Sequence, residues 1–364
     1  MKKNVKKNIL QILLLLALTA FAIWFALKDD YQEVLRNVTH VSWVWLCIIA
    51  ALGILYYLIQ GIILYMIAKP YKKDLKIWDG IHNAYIAAFF NGVTPLGGGQ
   101  VAQTYAFRKL GLEYSDIASI LWKDFLLFQS TVLVYVTILL VTRFQFAIKE
   151  FHAYFLLVIL GFLINSSVIV ILWTMSKFPK FYVKVSNVIV ALLYKFHIVK
   201  DKAYTLEKWQ GQVVYFNEEI KKLKQDKGLI VKAVVLNFIR MTIFYALPYV
   251  VALALHIPMT PFDLVNVILM SRFIHMLNAL TPLPGDTGWT ESAFIILFAI
   301  MFGRVEASSV MILWRMATYH INLLIGGGMF LHVKSKEKVK PKSSEPKHEK
   351  DEKQSNSKHL GCEL

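Results

Sequence analysis

The chain has 364 residues, of which 57% are hydrophobic and 14% are aromatic, well above the roughly 45–50% apolar content of an average soluble domain. This composition excludes an ordinary soluble enzyme and indicates an integral membrane protein. The formal net charge is +16, but the basic residues cluster in the amino-terminal lead, the loops and the tail. That distribution favours membrane topology and contact with anionic lipid over a nucleic-acid groove, so no nucleic-acid partner is expected.

The apolar segments predict about six full membrane spans, at roughly 20 residues each. A basic lead, MKKNVKK, precedes the first apolar run, and its positive charge places the amino terminus in the cytoplasm. The apolar run lacks a secretory cleavage pattern, so it is expected to be a retained span. A loop is expected at 28–40. The spans are predicted at 9–27, 41–68, 117–141, 154–175, 233–255 and 308–331. Both termini are therefore expected to be cytoplasmic.

Two further segments are polar and basic. Residues 176–232 are Lys-rich and only patchily apolar, which predicts cytoplasmic or interfacial amphipathic helices. Residues 334–364 have almost no apolar content and are predicted to form a disordered, charged cytoplasmic tail. The membrane domain is thus expected to occupy residues 1–333.

One phrase, N-x-x-T-P-L-x-G, occurs twice inside long apolar stretches. Proline and glycine there interrupt a helix, because proline lacks the amide donor and glycine adds backbone freedom. The pattern predicts two broken, re-entrant helical hairpins, at 81–107 and 262–302, facing each other around a binding site. The first break comprises Asn91, Thr94, Pro95, Gly97, Gly98 and Gly99. The second comprises Asn278, Thr281, Pro282, Pro284, Gly285, Asp286 and Gly288.

A second echo follows each hairpin, ILWK at 120–123 and ILWR at 312–315. Three full spans are predicted between the copies, and an odd number means that the copies point in opposite directions across the bilayer. The sequence therefore predicts an inverted repeat with halves near 81–142 and 262–331, the architecture typical of secondary transporters with a site near the midplane.

Ionisable residues deep in apolar runs are costly in a membrane and are treated as candidates for function. Lys123 and Arg315 are equivalent in the repeat and could hold a lipid phosphate together. The alternative for Lys123 is a pair with Asp124 or a side chain that reaches the membrane surface. The substrate-binding candidates, for a lipid headgroup, are Lys123, Arg240, Arg272, Glu291 and Arg315.

Several of these candidates have a structural as well as a functional interpretation. Glu291 could cap the helix after the second break, or pair with Arg272 or a cationic headgroup. Arg240 could serve structural pairing or headgroup contact. Arg272 and His275 share a helical face leading into the second break. His82, His256 and His320 are expected to be structural.

Glycines in the breaks and in the last span can also serve binding or packing. Gly97, Gly98 and Gly99 could form an anion-binding nest of backbone amides, or a tight turn between closely packed helices. Gly326, Gly327 and Gly328 are expected to serve helix packing. No metal site is predicted, because no His, Cys and carboxylate set has metal-ligand spacing, and Cys47 and Cys362 do not suggest a disulfide. No cofactor is expected.

Three stretches carry a resemblance to a known family: TPLGGGQVAQTYAFRKLG, TPLPGDTGWTESAF and ILWRMATYHINLLIGG. They resemble the lysylphosphatidylglycerol synthase transmembrane family, also called flippase-like or UPF0104 proteins, over about residues 8–332. By position, the family pattern falls on Pro95, Gly98, Gly99, Arg108, Pro282, Pro284, Gly285, Gly288, Glu291 and Arg315. The family usually has Gly-Gly after the second proline, where this chain has Gly285 and Asp286.

The resemblance implies a membrane domain that moves aminoacylated or other modified phospholipids between leaflets and supports bacterial resistance to cationic antimicrobial peptides. Full-length lysylphosphatidylglycerol synthases also carry a soluble acyltransferase domain, and no folded domain is expected after Lys334, so no catalytic residue is predicted. Two competing functions are a phosphatidylglycerol lysyltransferase and a non-catalytic membrane partner of a separate transferase. Bilayer phospholipids are the expected partners, and the sequence leaves a homo-oligomer open.

Overall fold

The structure is a computed structural model that describes residues 31–94, 97–150, 155–195, 201–278 and 283–338. These residues are almost entirely helical, as expected for an all-α integral membrane protein. In chain order the helices are α1 (Tyr31–Thr39), α2 (Trp43–Ala68), α3 (Ile77–Val93), α4 (Gly99–Lys109), α5 (Tyr114–Thr142), α6 (Phe144–Glu150), α7 (Phe155–Lys177), α8 (Pro179–Lys195), α9 (Lys202–Gln225), α10 (Lys227–Ala254), α11 (Pro261–Asn278), α12 (Trp289–Phe302), α13 (Arg304–Arg315) and α14 (Ile321–Lys338).

Three of these helices are long and apolar enough to cross a membrane: α2, α5 and α10. They match the spans predicted at 41–68, 117–141 and 233–255. The span predicted at 154–175 corresponds to α7, and the one at 9–27 lies outside the described residues. The span expected at 308–331 is not one regular helix, because a π-helical turn, Met316–His320, separates α13 from α14.

Each predicted hairpin is a pair of helices in contact across a break, and their re-entry into the membrane stays a prediction. In the first, α3 has 17 residues and α4 has 11; in the second, α11 has 18 and α12 has 14. Arms of this length are shorter than, or close to, the minimum for a bilayer crossing. The inverted-repeat relation between the halves stays a prediction.

Helix α2 lies at the centre of the packing, in contact with α3, α5, α10 and α14. Its approach to α3 is close, because a Cβ placed on Gly61 would lie 2.4 Å from the Cα of Ile81. A Cβ on Gly53 would likewise lie 2.2 Å from the carbonyl oxygen of Ala317. Small residues on α2 therefore allow the backbones of the first hairpin and of the last helices to approach it closely, as is common between membrane helices.

Two boundaries differ from the sequence prediction. Residues 31–39 form α1 inside the predicted loop, with Val34 fully buried. This helix packs against α13, so a tertiary contact stabilises a segment that is too short and too polar to be predicted as a span. At the other end, α14 continues to Lys338, past the predicted start of the tail at 334.

The glycines of α14 provide a matched stability test. A Cβ on Gly326 would lie 2.2 Å from the carbonyl oxygen of Tyr85 on α3, whereas a Cβ on Gly328 would meet nothing within 4 Å. We expect Gly326→Ala to destabilise the protein by about 1–3 kcal/mol, because the two helices must separate. Gly328→Ala should be neutral or slightly stabilising, because alanine favours helix. Thermal unfolding of both variants in detergent measures the difference, and equal midpoints would contradict close packing at Gly326.

Candidate functional site

The first break is closed by the two polar side chains of its own motif. Thr94 leaves the helical conformation and ends α3. Its hydroxyl oxygen accepts a hydrogen bond from the Gly98 amide at 2.8 Å, and the Asn91 side-chain oxygen accepts from the Gly99 amide at 2.8 Å. These contacts cap the start of α4. Because two of the three amides are engaged within the hairpin, the structure favours the tight turn over the anion nest.

The second break has a strained backbone where the motif departs from the first. Residues 279–282, among them Thr281 and Pro282, lie outside the described residues. Pro95 of the first break lies outside them too. Beyond them, Pro284–Asp286 form a 3₁₀ turn, and Gly285, Asp286 and Gly288 all have positive φ. Asp286 tolerates this conformation better than most residues.

Glu291 has two partners after this break. One carboxylate oxygen accepts from the Gly288 amide at 2.6 Å, which caps α12. The other accepts from Arg315 Nε at 2.6 Å. The capping interpretation is therefore supported, and the predicted pair with Arg272 is wrong, because Arg315 occupies that position.

Arg315 joins the last helices to the second break. Besides Glu291, its guanidinium donates to the Gly285 carbonyl at 3.1 Å and lies 4.7 Å from the centre of the Tyr319 ring. The Arg315 and Glu291 side chains are only 9% and 3% exposed. Such a buried pair needs further hydrogen bonds to offset desolvation, and both members of this pair have them.

A cavity of about 480 Å³ lies between the two breaks. The first break contributes Asn91, Gly92 and Gly97 to its lining, and the second contributes Leu283, Gly285 and Asp286. Tyr319 bridges the two sides, because its ring lines the cavity and its hydroxyl donates to the Gly92 carbonyl at 3.1 Å. The remaining lining residues are Tyr57, Ala88, Phe244, His275, Trp314, Arg315 and Thr318.

Lys123 does not line this cavity. Its ammonium pairs with Glu219 on α9 at 3.1 Å and donates to the Tyr71 hydroxyl at 2.5 Å. The predicted pair with Asp124 is wrong, because the ammonium pairs with Glu219. A Lys123 side chain that reaches the membrane surface stays a prediction. The structure does not support a phosphate held jointly by Lys123 and Arg315, because only Arg315 lines the cavity. The two residues share a different property, since each pairs with a buried glutamate.

The partner of Lys123 ties the basic segment to the membrane domain. Glu219 is 2% exposed and also pairs with Lys222 at 2.7 Å. The Tyr215 hydroxyl, one turn earlier on α9, hydrogen-bonds with the Ser119 hydroxyl and donates to the Ser115 carbonyl at 2.8 Å. Helix α9 is thus fixed against the start of α5. Sequence reasoning missed Glu219; the only signal was a carboxylate among lysines on a helix with a polar face.

The Glu219 pair predicts an acid-sensitive contact. Burial raises the pKa of this carboxyl, but hydrogen bonds from Lys222 and Lys123 outweigh burial and lower the pKa below its ordinary value of 4.5. The ionised, paired carboxylate of Glu219 stabilises the fold at pH values above the ordinary pKa. This contribution is lost as the pH falls through the lowered pKa of the folded state. We expect Glu219→Gln to unfold at lower temperature at pH 7 and to show a flatter loss of stability below pH 4.5 than the wild type. Thermal unfolding from about pH 3 to 7 tests this, with Glu207→Gln on the exposed face of α9 as control; parallel acid curves would contradict it.

Arg240 and Arg272 lie in the interior without a carboxylate within ion-pair distance among the described residues. Arg240 donates to the Asn237 side chain at 2.7 Å and stacks on the Tyr56 and Phe128 rings. Arg272 donates to the Tyr245 hydroxyl at 3.1 Å. Ring contacts link the two arginine sites, because Tyr56 packs against Phe244 and Phe244 packs against Tyr245. These residues form a buried polar cluster behind the cavity, and neither arginine lines it.

His275 connects this cluster to the cavity. It follows Arg272 by one helical turn, lines the cavity, and packs against the Phe244 and Trp314 rings. The predicted shared face of Arg272 and His275 is therefore present, but only His275 reaches the cavity wall. Of the five predicted headgroup ligands, only Arg315 lines the cavity. Glu291 pairs with Arg315 without lining the cavity, and Lys123, Arg240 and Arg272 lie elsewhere in the interior.

The fold and this site define an all-helical membrane protein with two broken hairpins around a polar cavity. The chain belongs to the family described as the lysylphosphatidylglycerol synthase TM region, whose family model matches residues 9–326. This match confirms the resemblance carried by the three sequence stretches. No curated protein matches the chain significantly.

Proposed function

We propose that the protein moves phospholipids between the leaflets of a bacterial cell membrane. The substrates are aminoacylated, otherwise modified or anionic phospholipids, and the outcome is resistance to cationic antimicrobial peptides. The headgroup occupies the cavity between the two breaks, while the acyl chains stay in the bilayer. The observation that carries this proposal is the cavity itself, which has backbone from both hairpins and the Arg315 guanidinium in its wall.

The lining of the cavity suits a lipid headgroup. Backbone groups at the breaks, the Tyr57 and Tyr319 rings and the Arg315 guanidinium combine hydrogen-bonding groups with apolar surface. A guanidinium can fork onto two phosphate oxygens. Arg315 already donates to Glu291 and to the Gly285 carbonyl, so a phosphate would compete with, or add to, those contacts. This competition would couple headgroup binding to the geometry of the second hairpin.

Reconstituted protein provides the direct test. Proteoliposomes containing the full chain receive a trace of fluorescent phosphatidylglycerol, and a membrane-impermeant quencher then measures how fast the inner-leaflet lipid reaches the outer leaflet. We expect exchange at least tenfold faster than in protein-free liposomes. If neither phosphatidylglycerol nor its lysyl derivative exchanges faster with the protein than in protein-free liposomes, the proposal is overturned for these lipids. In cells, outer-leaflet labelling with and without the gene provides the same comparison.

The name of the family supports a second candidate function, that of a phosphatidylglycerol lysyltransferase. Lipid extracts of cells that express this chain alone should then contain lysylphosphatidylglycerol, and its absence would exclude the activity. A third candidate is a non-catalytic partner of a separate transferase. It predicts copurification of that enzyme, lost when the basic segment 176–232 and the tail are removed.

A further inference from the structure

A second cavity, distinct from the one between the breaks, lies between α4 and α5. We call it the α4–α5 groove; its volume is about 620 Å³. One wall consists of Gln100, Val101 and Thr104 on α4. The other consists of residues at helical spacing on α5, from Tyr114 through Ala118 to Trp122 and Phe125. Most of this lining is apolar or aromatic, and Val101, Tyr114 and Trp122 are 76%, 67% and 38% exposed.

The length of the groove matches one leaflet. Tyr114 and Phe125 are about three turns apart on α5, or about 16 Å along the helix axis. The hydrocarbon core of a bilayer is about 30 Å thick, so one leaflet contributes about 15 Å. Because α5 is one of the helices able to cross the membrane, the groove follows the direction of an acyl chain in the leaflet at its Tyr114 end.

The two ends of the groove differ in chemistry. At the Tyr114 end, the exposed Arg108 guanidinium stacks 4.4 Å from the centre of the Tyr114 ring. A tyrosine at the membrane interface beside an arginine suits a phosphate at headgroup level. At the other end, Gln100 lies in the first turn of α4, one turn after Gly97, which lines the cavity between the breaks. The groove therefore runs from a basic interface to the edge of the candidate transport site.

We propose that the α4–α5 groove binds one acyl chain of a phospholipid from the leaflet at its Arg108 end, with the lipid phosphate at Arg108 and Tyr114. The groove holds that chain beside the first hairpin, so that the headgroup stays at the membrane interface while the acyl chain reaches the edge of the cavity. The site goes beyond the proposed function, because it assigns a lipid-binding position outside the cavity. It rests on that function only for its role in delivery, since binding itself needs no translocation.

Photolabelling tests the groove directly. The full chain is reconstituted in nanodiscs with phosphatidylglycerol that carries a photoactivatable diazirine near the end of one acyl chain, and labelled peptides are mapped. We expect the peptide containing Trp122 and Phe125 to be labelled at least fivefold more than the peptide containing Val235, an exposed, apolar residue on α10. Equal labelling would identify ordinary surrounding lipid and overturn the proposal.

Substitutions separate the groove from its surroundings. Ala118→Trp fills the groove from α5 and should lower labelling of the Trp122 peptide at least fivefold, whereas Val235→Trp adds bulk elsewhere and should leave it unchanged. Thr104→Phe fills the groove from α4 and replaces the first variant if that one misfolds. Arg108→Gln should lower the labelling severalfold. Unchanged labelling in these filled, folded variants would contradict the proposal.

An Arg315 variant distinguishes the groove from the cavity. Arg315→Met should leave groove labelling unchanged while lipid exchange is lost, and loss of labelling in the folded variant would show that the two sites are one. A wild type that exchanges lipid but shows no preferred labelling of the groove overturns the groove proposal while the proposed function stands. Preferred labelling without exchange supports the groove as a lipid site and overturns the proposed function.

Discussion

Arg315→Met should reduce lipid exchange in proteoliposomes at least tenfold, and it should also destabilise the protein. The side chain supplies the guanidinium in the cavity wall and is the partner of the buried Glu291 carboxylate at 2.6 Å. Removing one member of a buried ion pair leaves the other charge uncompensated, which costs about 3–5 kcal/mol. The two losses can be separated, because stability depends on the pair and transport depends on the cation.

A double variant makes this separation. Glu291→Gln keeps an oxygen that can accept from the Gly288 amide but removes the negative charge. In Arg315→Met with Glu291→Gln, no uncompensated charge is left, so most of the stability should return. Lipid exchange should stay lost, because the cavity still lacks its guanidinium. Thermal unfolding and exchange rates are measured on the same preparations.

Arg304→Met is the matched control. This arginine lies on the same helix as Arg315 but is exposed at its amino-terminal end, so its loss should change exchange less than twofold.

Recovery of exchange along with stability in the double variant would show that Arg315 has only a structural role. It would leave the cavity in place but remove its proposed phosphate ligand.

Gly285→Ala should have the second largest effect, on both exchange and stability. Gly285 has φ +58°, and a Cβ there would lie 2.5 Å from the Tyr319 ring. The alanine must therefore strain the turn and displace Tyr319, which breaks the hydrogen bond of its hydroxyl to the Gly92 carbonyl. We expect a destabilisation of about 2–3 kcal/mol from strain and overpacking together, and at least a tenfold slower exchange.

Gly288→Ala separates strain from displacement. Gly288 also has positive φ, +88°, but a Cβ there would meet nothing within 4 Å. This variant should show the backbone strain alone, about 1–3 kcal/mol, with exchange largely kept. Equal loss of exchange in both variants would mean that the turn, and not the position of Tyr319, controls transport.

The charges show what sequence reasoning can and cannot find. Buried cations in apolar runs are conspicuous, because a charge in a membrane is costly, and Lys123, Arg240, Arg272 and Arg315 are all buried in the structure. Their partners were not predictable. Lys123 pairs with Glu219, which is far away along the chain, in a segment whose lysines made its carboxylate look like one of many surface charges.

The breaks show the same division. The proline and glycine residues that interrupt the apolar stretches are visible in the sequence, because their backbone chemistry is local. The Asn and Thr of the repeated phrase were identified as part of the pattern, but their role in capping α4 depends on the turn that brings Gly98 and Gly99 back to them. In the second hairpin that turn differs, and Asp286 adopts a left-handed conformation that the sequence did not predict.

The sequence alone determined the class of the protein, the positions of the two helix breaks and the set of buried cations, since each follows from local composition or local backbone chemistry. Only the tertiary structure decided which of these meet. Close helix contacts at Gly53, Gly61 and Gly326 bring α2, α3 and the last helices against one another. That packing places both breaks at one cavity, selects Arg315 as its cation and turns Lys123 towards α9. Such pairings depend on long-range packing, which no local pattern in the chain encodes.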